Sequence, residues 1–88
     1  RIQKIFVYAL ESLKDGRIYV GQTQDIEKRL KEHNQGRTKS TKAYAPWRLI
    51  FQEECEDRQE ARVQEKYWKS GCGKEKLKVF LKNNFLAP

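Results

Sequence analysis

Two short apolar runs near the start of the chain, Ile5-Phe-Val-Tyr-Ala-Leu10 and Arg17-Ile-Tyr-Val-Gly-Gln22, are separated by Lys14-Asp15-Gly16. The first run is continuous, as in a strand covered on both faces. The second resumes at Ile18 to Val20 after a segment with Asp-Gly turn chemistry, so the pair predicts an antiparallel hairpin. Each run carries one tyrosine, Tyr8 and Tyr19, and tyrosines in strands are ordinarily core residues. Register decides whether they meet. A two-residue turn at Asp15-Gly16 leaves them offset, whereas a longer loop centred near Leu13 and Lys14 sets them nearly opposite, and the sequence leaves both open.

The remainder of the chain supplies the partners for such a hairpin. Thr23 is a good N-cap for a helix through Asp25-Ile-Glu-Lys-Arg-Leu-Lys-Glu-His33, with Gly36 as its stop. Ile26 and Leu30 give that helix a buried stripe, and Arg29 and His33, four apart, share a face beside it. Arg37 to Pro46 is a polar loop, and its Arg37, Lys39 and Lys42 suit contacts to phosphate oxygens or a plain solvated connector about equally. Trp47, Leu49 and Phe51 alternate with Arg48, Ile50 and Gln52, predicting a third strand. Asp57 followed by Glu60 resembles a capping box opening a helix to Gly71. On it Tyr67, Gln64, Trp68 and Ala61 form the inward arc, Arg62, Lys66 and Lys69 lie away from it, and Glu65 falls at the border. A carboxylate there needs a partner or a metal. Gly71-Cys-Gly73 breaks the chain, and Leu77, Phe80 and Leu81, with Val79 nearby, mark a final helix. No clear pattern follows from Asn83 to Pro88. The expected architecture is α+β, a three-stranded antiparallel sheet flanked by helices in the order β-β-α-β-α-α, with residues 1–88 forming a single domain.

Charge narrows the partners. With 19 Lys+Arg against 12 Asp+Glu the chain carries +7, which favours a polyanion, nucleic acid first. Lys69 and Lys74 join the loop residues as candidate nucleic-acid contacts. Cys55 and Cys72 form no Cys-x-x-Cys pair, so neither a zinc knuckle nor a disulfide framework is indicated, and they read as reduced thiols of a cytoplasmic-type protein. Neither a signal peptide nor a long apolar span is present, so no membrane role is expected. The chain opens at Arg1, as a domain cut from a longer protein would. Nothing in it fixes an oligomeric state.

The polar residues at unusual positions are Tyr8, Tyr19, Arg29, His33 and Glu65. Around them, Val7-Tyr8-Ala9 and Tyr19-Val20-Gly21 resemble the two signature tripeptides of the GIY-YIG nuclease family. The resemblance continues through Arg29-x-x-x-His33-Asn34-x-Gly36, Tyr44-Ala-Pro-Trp47, and Glu60-Ala61 with Glu65, in order over nearly the whole chain. Val7 and Ala9 depart from the first tripeptide's outer residues while keeping its tyrosine. Lys69-Ser-Gly-Cys-Gly73 and the short length are similar to the small stand-alone bacterial members, which are akin to the nuclease domain of the excision-repair protein UvrC. The resemblance implies a DNA endonuclease with Tyr8, Tyr19, Arg29, His33 and Glu65 as its catalytic set, Tyr8 acting as general base toward water or positioning it, and Tyr19 supporting it or exchanging roles with it. A further assisting residue (Lys74, Lys76 or Asn83) stays unassigned.

The residue types support that chemistry independently. Glu65 is a hard oxygen ligand suited to one Mg²⁺ or Mn²⁺ that keeps most of its waters. No second carboxylate cluster accompanies it, which argues against a two-metal nuclease. Arg29 offers a planar fork to the scissile phosphate. Tyr8, with an ordinary pKa of about 10, needs a neighbour or a positive field to lose its proton, and His33, Arg29 and the metal are the candidates. The expected activity is metal-dependent hydrolysis of DNA phosphodiesters with little sequence specificity, with branched or damaged structures in repair or recombination as candidate substrates; RNA stays open as a substrate. The alternatives are a non-catalytic nucleic-acid-binding module of the same fold and, further off, a protein-interaction domain.

Overall fold

The run Ile5–Leu10 lies in the central strand because both of its faces are covered. In a computed structural model that describes residues 4–86, with side chains through Lys82, β1 (Ile5–Ser12) lies between β2 (Ile18–Thr23) and β3 (Trp47–Cys55), antiparallel to both, in the order β2-β1-β3. Helices α1 (Ile26–Asn34), α2 (Arg58–Lys69) and α3 (Gly71–Leu86) complete the β-β-α-β-α-α order expected. No helix among the described residues is long and apolar enough to cross a membrane.

Alternation along β1 builds two cores. Ile5, Val7 and Ala9 pack with Ile18, Val20, Cys55, Ala61 of α2 and Leu77 of α3. Tyr8 and Leu10 face the other way, onto Trp47, Tyr19 and the Ile26–Leu30 stripe of α1. The sheet therefore separates α1 from α2 and α3, and a strand with an apolar layer on each side needs the unbroken apolar run seen in the sequence.

The hairpin register falls between the two alternatives. Leu10 pairs with Tyr19 and Tyr8 with Gly21, leaving Leu13–Gly16 as the loop. The tyrosines are thus diagonal neighbours on one face, within reach of each other. Ser12, 2% exposed, shapes the loop: its hydroxyl donates to the Tyr44 carbonyl at 2.6 Å and accepts from the amides of Lys14 and Asp15 at 3.0 and 3.2 Å. Gly16 closes the loop at φ +81°, where a side chain would be strained.

Several local expectations are corrected. The cap of α1 is Asp25, whose side chain accepts from the Lys28 amide, while Thr23 accepts from the Asp25 amide one step earlier. The alternation in β3 does not run through Phe51. A register shift opposite Ala9 and Leu10 pairs Leu49 with Leu10 and Phe51 with Ala9, so Trp47 and Leu49 serve the α1 face and Phe51 the other. One extra residue reverses every side chain beyond it. At α2, Asp57 caps the Glu60 amide as expected, but the Glu60 carboxylate reaches back to the amide of Glu56. Gly71-Cys-Gly73 is no break: α3 starts there, with the Ser70 hydroxyl accepting from the Gly73 amide, and it runs past Asn83 to Leu86. Leu77 is its buried anchor, whereas Val79 and Phe80 are exposed.

Candidate active site

Tyr8, Tyr19 and His33 meet on the α1 face of the sheet. The two tyrosine rings are 6.3 Å apart between centroids, and the imidazole lies 6.0 Å from Tyr8 and 5.0 Å from Tyr19. The Tyr8 hydroxyl and His33 Nε2 are 3.0 Å apart, and His33 Nδ1 is 2.8 Å from the Thr41 hydroxyl. Tyr8 and His33 are 2% and 0% exposed, and no buried side-chain polar atom among the described residues lacks a hydrogen-bond partner.

Gly21 explains the glycine of the Tyr-x-Gly tripeptide. It pairs with Tyr8, and a Cβ placed on it would stand 2.8 Å from the Tyr8 hydroxyl and 3.1 Å from the Tyr19 ring. Any other residue here pushes on both tyrosines at once.

Arg29 and His33 come from one face of α1, four residues apart, as their spacing predicts. Arg29 pairs with Glu32 at 2.9 Å and stands beside the Tyr8 hydroxyl. Asn34 fastens the next element: its side-chain oxygen accepts from the Trp47 amide at 2.6 Å and its amide nitrogen donates to the Trp47 carbonyl at 3.1 Å. The same segment of α1 therefore positions both the imidazole and the start of β3.

Glu65 arrives from the opposite layer. Its carboxylate accepts from Gln22 Nε2 at 2.7 Å and from Lys69 Nζ at 2.8 Å. Gln22 follows Gly21 in β2, and strand alternation aims it at α2 while Gly21 faces the tyrosines. Glu65 is bonded to neither tyrosine, nor to Arg29 or His33, but its charge is felt at Tyr8 as the last of the influences there. Arg62, Lys66 and Lys69, on the side away from the inward arc, line a cleft of about 430 Å³ with Glu65 and Gln22. A neighbouring cleft of about 350 Å³ includes Lys28, Arg29 and Arg58. Arg37, Lys39, Lys42 and Lys74 border neither. A wider groove of about 780 Å³ between β3 and α3 is lined chiefly by apolar residues and by none of the five polar candidates.

Electrostatics divides the pair of titratable groups. Burial pushes the Tyr8 hydroxyl up to about 12, assisted by Tyr19 and opposed by Arg29. Burial first, then the Arg29 charge, pushes His33 down to about 4, against the pull of Glu32. At neutral pH the site holds a protonated phenol against a neutral imidazole. Native His33 thus refuses a proton that the unfolded chain accepts near pH 6.5. Its contribution to stability is complete above pH 6.5 and is lost as pH falls toward 4, by about 2–3 kcal/mol. Urea unfolding at pH 7 and 4.5 should show the wild type losing more stability on acidification than His33→Gln; equal losses would contradict the burial.

Metal fit follows from the donors. Among the described residues no three His, Cys, Asp or Glu side chains are grouped to hold an ion, so an all-protein cage is absent there. A single hard carboxylate in an open cleft instead suits Mg²⁺, which keeps several waters. The Lys69 partner is 53% exposed, and an ion pair of that kind yields readily.

The residues missed by the sequence reading are Gly21, Gln22, Asn34 in its clamping role, and Thr41. Only Gly21 and Asn34 lay within motifs already singled out.

Comparison with known proteins agrees with this fold. A UPF0213 protein of Staphylococcus saprophyticus is 37% identical over 79 residues, covering 89% of this chain and 95% of its own. The UPF0213 protein YazA of Bacillus subtilis is 40% identical over 72 residues, covering 81% and 72%. The solution structure of a UPF0213 protein from Bacillus halodurans superposes with a TM-score of 0.53 at 35% identity, over 86% of this chain and 83% of that one. The sequence pattern of the GIY-YIG catalytic domain matches residues 4–78, from just before β1 into α3. That span takes in both tyrosines, the Arg29–His33 face and Glu65, and the chain belongs to the GIY-YIG nuclease family.

Proposed function

We propose that residues 1–88 act as one nuclease domain of a cytoplasmic protein, a metal-dependent endonuclease hydrolysing DNA phosphodiesters with little sequence specificity of its own. The observation that carries this reading is the Tyr8 hydroxyl, held in a buried pocket between the neutral His33 imidazole and the Arg29 guanidinium. A phenol so placed could serve as general base toward an attacking water once a bound metal and Arg29 lower it from about 12, with His33, held near 4 by burial, accepting its hydrogen bond until then. Arg29 is the fork for the scissile phosphate and would leave Glu32 to bind it. Glu65 would hold one Mg²⁺ or Mn²⁺, which when bound neutralises charge on the phosphate and the departing oxygen. Tyr19 packs on His33 and Trp47 and keeps the imidazole in place. The net charge of +7, with Lys28, Arg58, Arg62, Lys66 and Lys69 around the two clefts, supplies the attraction for the backbone. A role on branched or damaged DNA in repair or recombination fits a domain with one site and no further specificity element among its described residues.

A binding module of the same fold would use the same cations without the carboxylate. Arg29→Ala and Glu65→Ala separate the two readings when DNA affinity and cleavage are measured together. The nuclease reading expects Glu65→Ala to keep its DNA affinity and lose cleavage by about 10³-fold or more. A wild type that binds without cutting, with Arg29→Ala weakening binding and Glu65→Ala changing nothing, would favour the binding module.

A further inference from the structure

The loop after α1 was expected to meet phosphates or solvent, yet its Thr41 is 1% exposed and sits under the site. Its hydroxyl is 2.8 Å from His33 Nδ1 and 3.3 Å from the Thr38 carbonyl, and its own carbonyl accepts from the Trp47 indole at 2.9 Å. The loop is thus tied on both sides of the one hydroxyl that touches the far nitrogen of the imidazole. We infer that Thr41 is a positioning residue for the nuclease site, fixing His33 in the tautomer with hydrogen on Nδ1 and leaving Nε2 as the acceptor for the hydrogen bond of Tyr8.

The direction of the hydrogen bonds follows from donors and acceptors. Arg29, beside the Tyr8 oxygen, carries donors only. The hydrogen of the buried phenol therefore needs an acceptor, and His33 Nε2 at 3.0 Å provides it. Nε2 then carries no hydrogen, and a neutral imidazole must place its one hydrogen on Nδ1. Nδ1–H donates to the Thr41 oxygen, whose own hydrogen points to the Thr38 carbonyl. Reversing the chain would set Nε2–H against a phenol oxygen that already faces the Arg29 donors, and would take from the phenol hydrogen its acceptor at Nε2. Burial holds His33 neutral through the neutral range, so Nε2 is open to the phenol hydrogen only in the tautomer with hydrogen on Nδ1.

The catalytic part of this inference rests on the nuclease reading, but the tautomer is readable without activity. His33 is the only histidine, so its ring nitrogens give a single pair of signals in long-range ¹H–¹⁵N correlation spectra at pH 7. The wild type should show a protonated Nδ1 and an unprotonated Nε2. Thr41→Val, close in shape but without the acceptor, should shift the ring toward Nε2–H and lower the cleavage rate roughly 10–100-fold, as loss of an orienting partner does. Thr41→Ser should restore both. A wild type with hydrogen on Nε2 overturns the inference even if Thr41→Val fails to fold, and so does a folded Thr41→Val that keeps the wild-type ring signals. Absence of cleavage in the wild type, with the Nδ1–H signature present, would count against the nuclease reading and leave the positioning role standing.

Discussion

Tyr8→Phe is expected to cut DNA cleavage by about 10²–10⁴-fold, the usual worth of a positioned acid or base, while leaving DNA affinity near that of the wild type. The substitution removes one oxygen and keeps the ring, which packs with Leu10, Trp47 and Tyr19. The fold should therefore survive, although His33 Nε2 loses the partner it has at 3.0 Å. An unsatisfied buried nitrogen costs about 1–3 kcal/mol, or several degrees of melting temperature per kcal/mol in a domain of this size. Single-turnover cleavage at saturating metal, beside a thermal melt, separates the chemical loss from the stability loss. Tyr19→Phe is the informative companion. Its ring lies closer to His33 than the Tyr8 ring does, but Tyr8 carries the hydrogen bond. A folded Tyr8→Phe that cleaves at the wild-type rate while Tyr19→Phe does not would exchange their roles.

Gly73→Ala should produce the largest loss of stability of any single added methyl group in the chain. A Cβ at Gly73 would lie 2.2 Å from the Tyr67 carbonyl oxygen, 2.7 Å from Trp68 Cα and 3.0 Å from the Tyr67 carbonyl carbon. All three are backbone atoms near the end of α2, so no side-chain rotation relieves the clash. The first turn of α3 would have to move off α2, drawing Leu77, 1% exposed, out of the cluster with Ile5, Val7 and Ala61. Overpacking against backbone costs about 3 kcal/mol or more, a large part of the roughly 5–10 kcal/mol a small domain has in total. Gly71→Ala is the control, because nothing lies within 4 Å of its added carbon, and helical propensity there favours alanine. Urea midpoints should fall sharply for the first variant and stay level or rise for the second. Equal midpoints would show that α3 does not sit against α2 as described.

Much of the site was legible because its spacing is set by local periodicity. Arg29 and His33 share a helical face whatever the helix packs against, and Glu65 falls at the border of an apolar arc that the sequence of α2 defines by itself. The pairing of Tyr8 with Tyr19 was legible only as two alternatives, and the observed register lies between them. It depends on Ser12, whose bonds to Tyr44, Lys14 and Asp15 join parts of the chain that no local pattern connects. The bulge at Ile50 was hidden for a similar reason: an apolar residue on each side of it satisfies either face. Thr41 and Gln22 carried no signal, since a threonine in a polar loop and a glutamine at a strand end become functional only through what the fold sets against them. Gly73 was read as a break because glycine ends helices as often as it permits close approach. The residue that resolves the ambiguity is Ser70, which closes one helix and caps the next.

Whether this chain cuts DNA with a metal decides the function proposed for the site. The most direct measurement is conversion of supercoiled plasmid to the nicked form by purified wild-type protein in Mg²⁺ or Mn²⁺, with EDTA and Glu65→Gln as controls. Nicking that requires the metal and disappears in Glu65→Gln is the predicted result. No nicking with either ion, or equal nicking by Glu65→Gln, would contradict it.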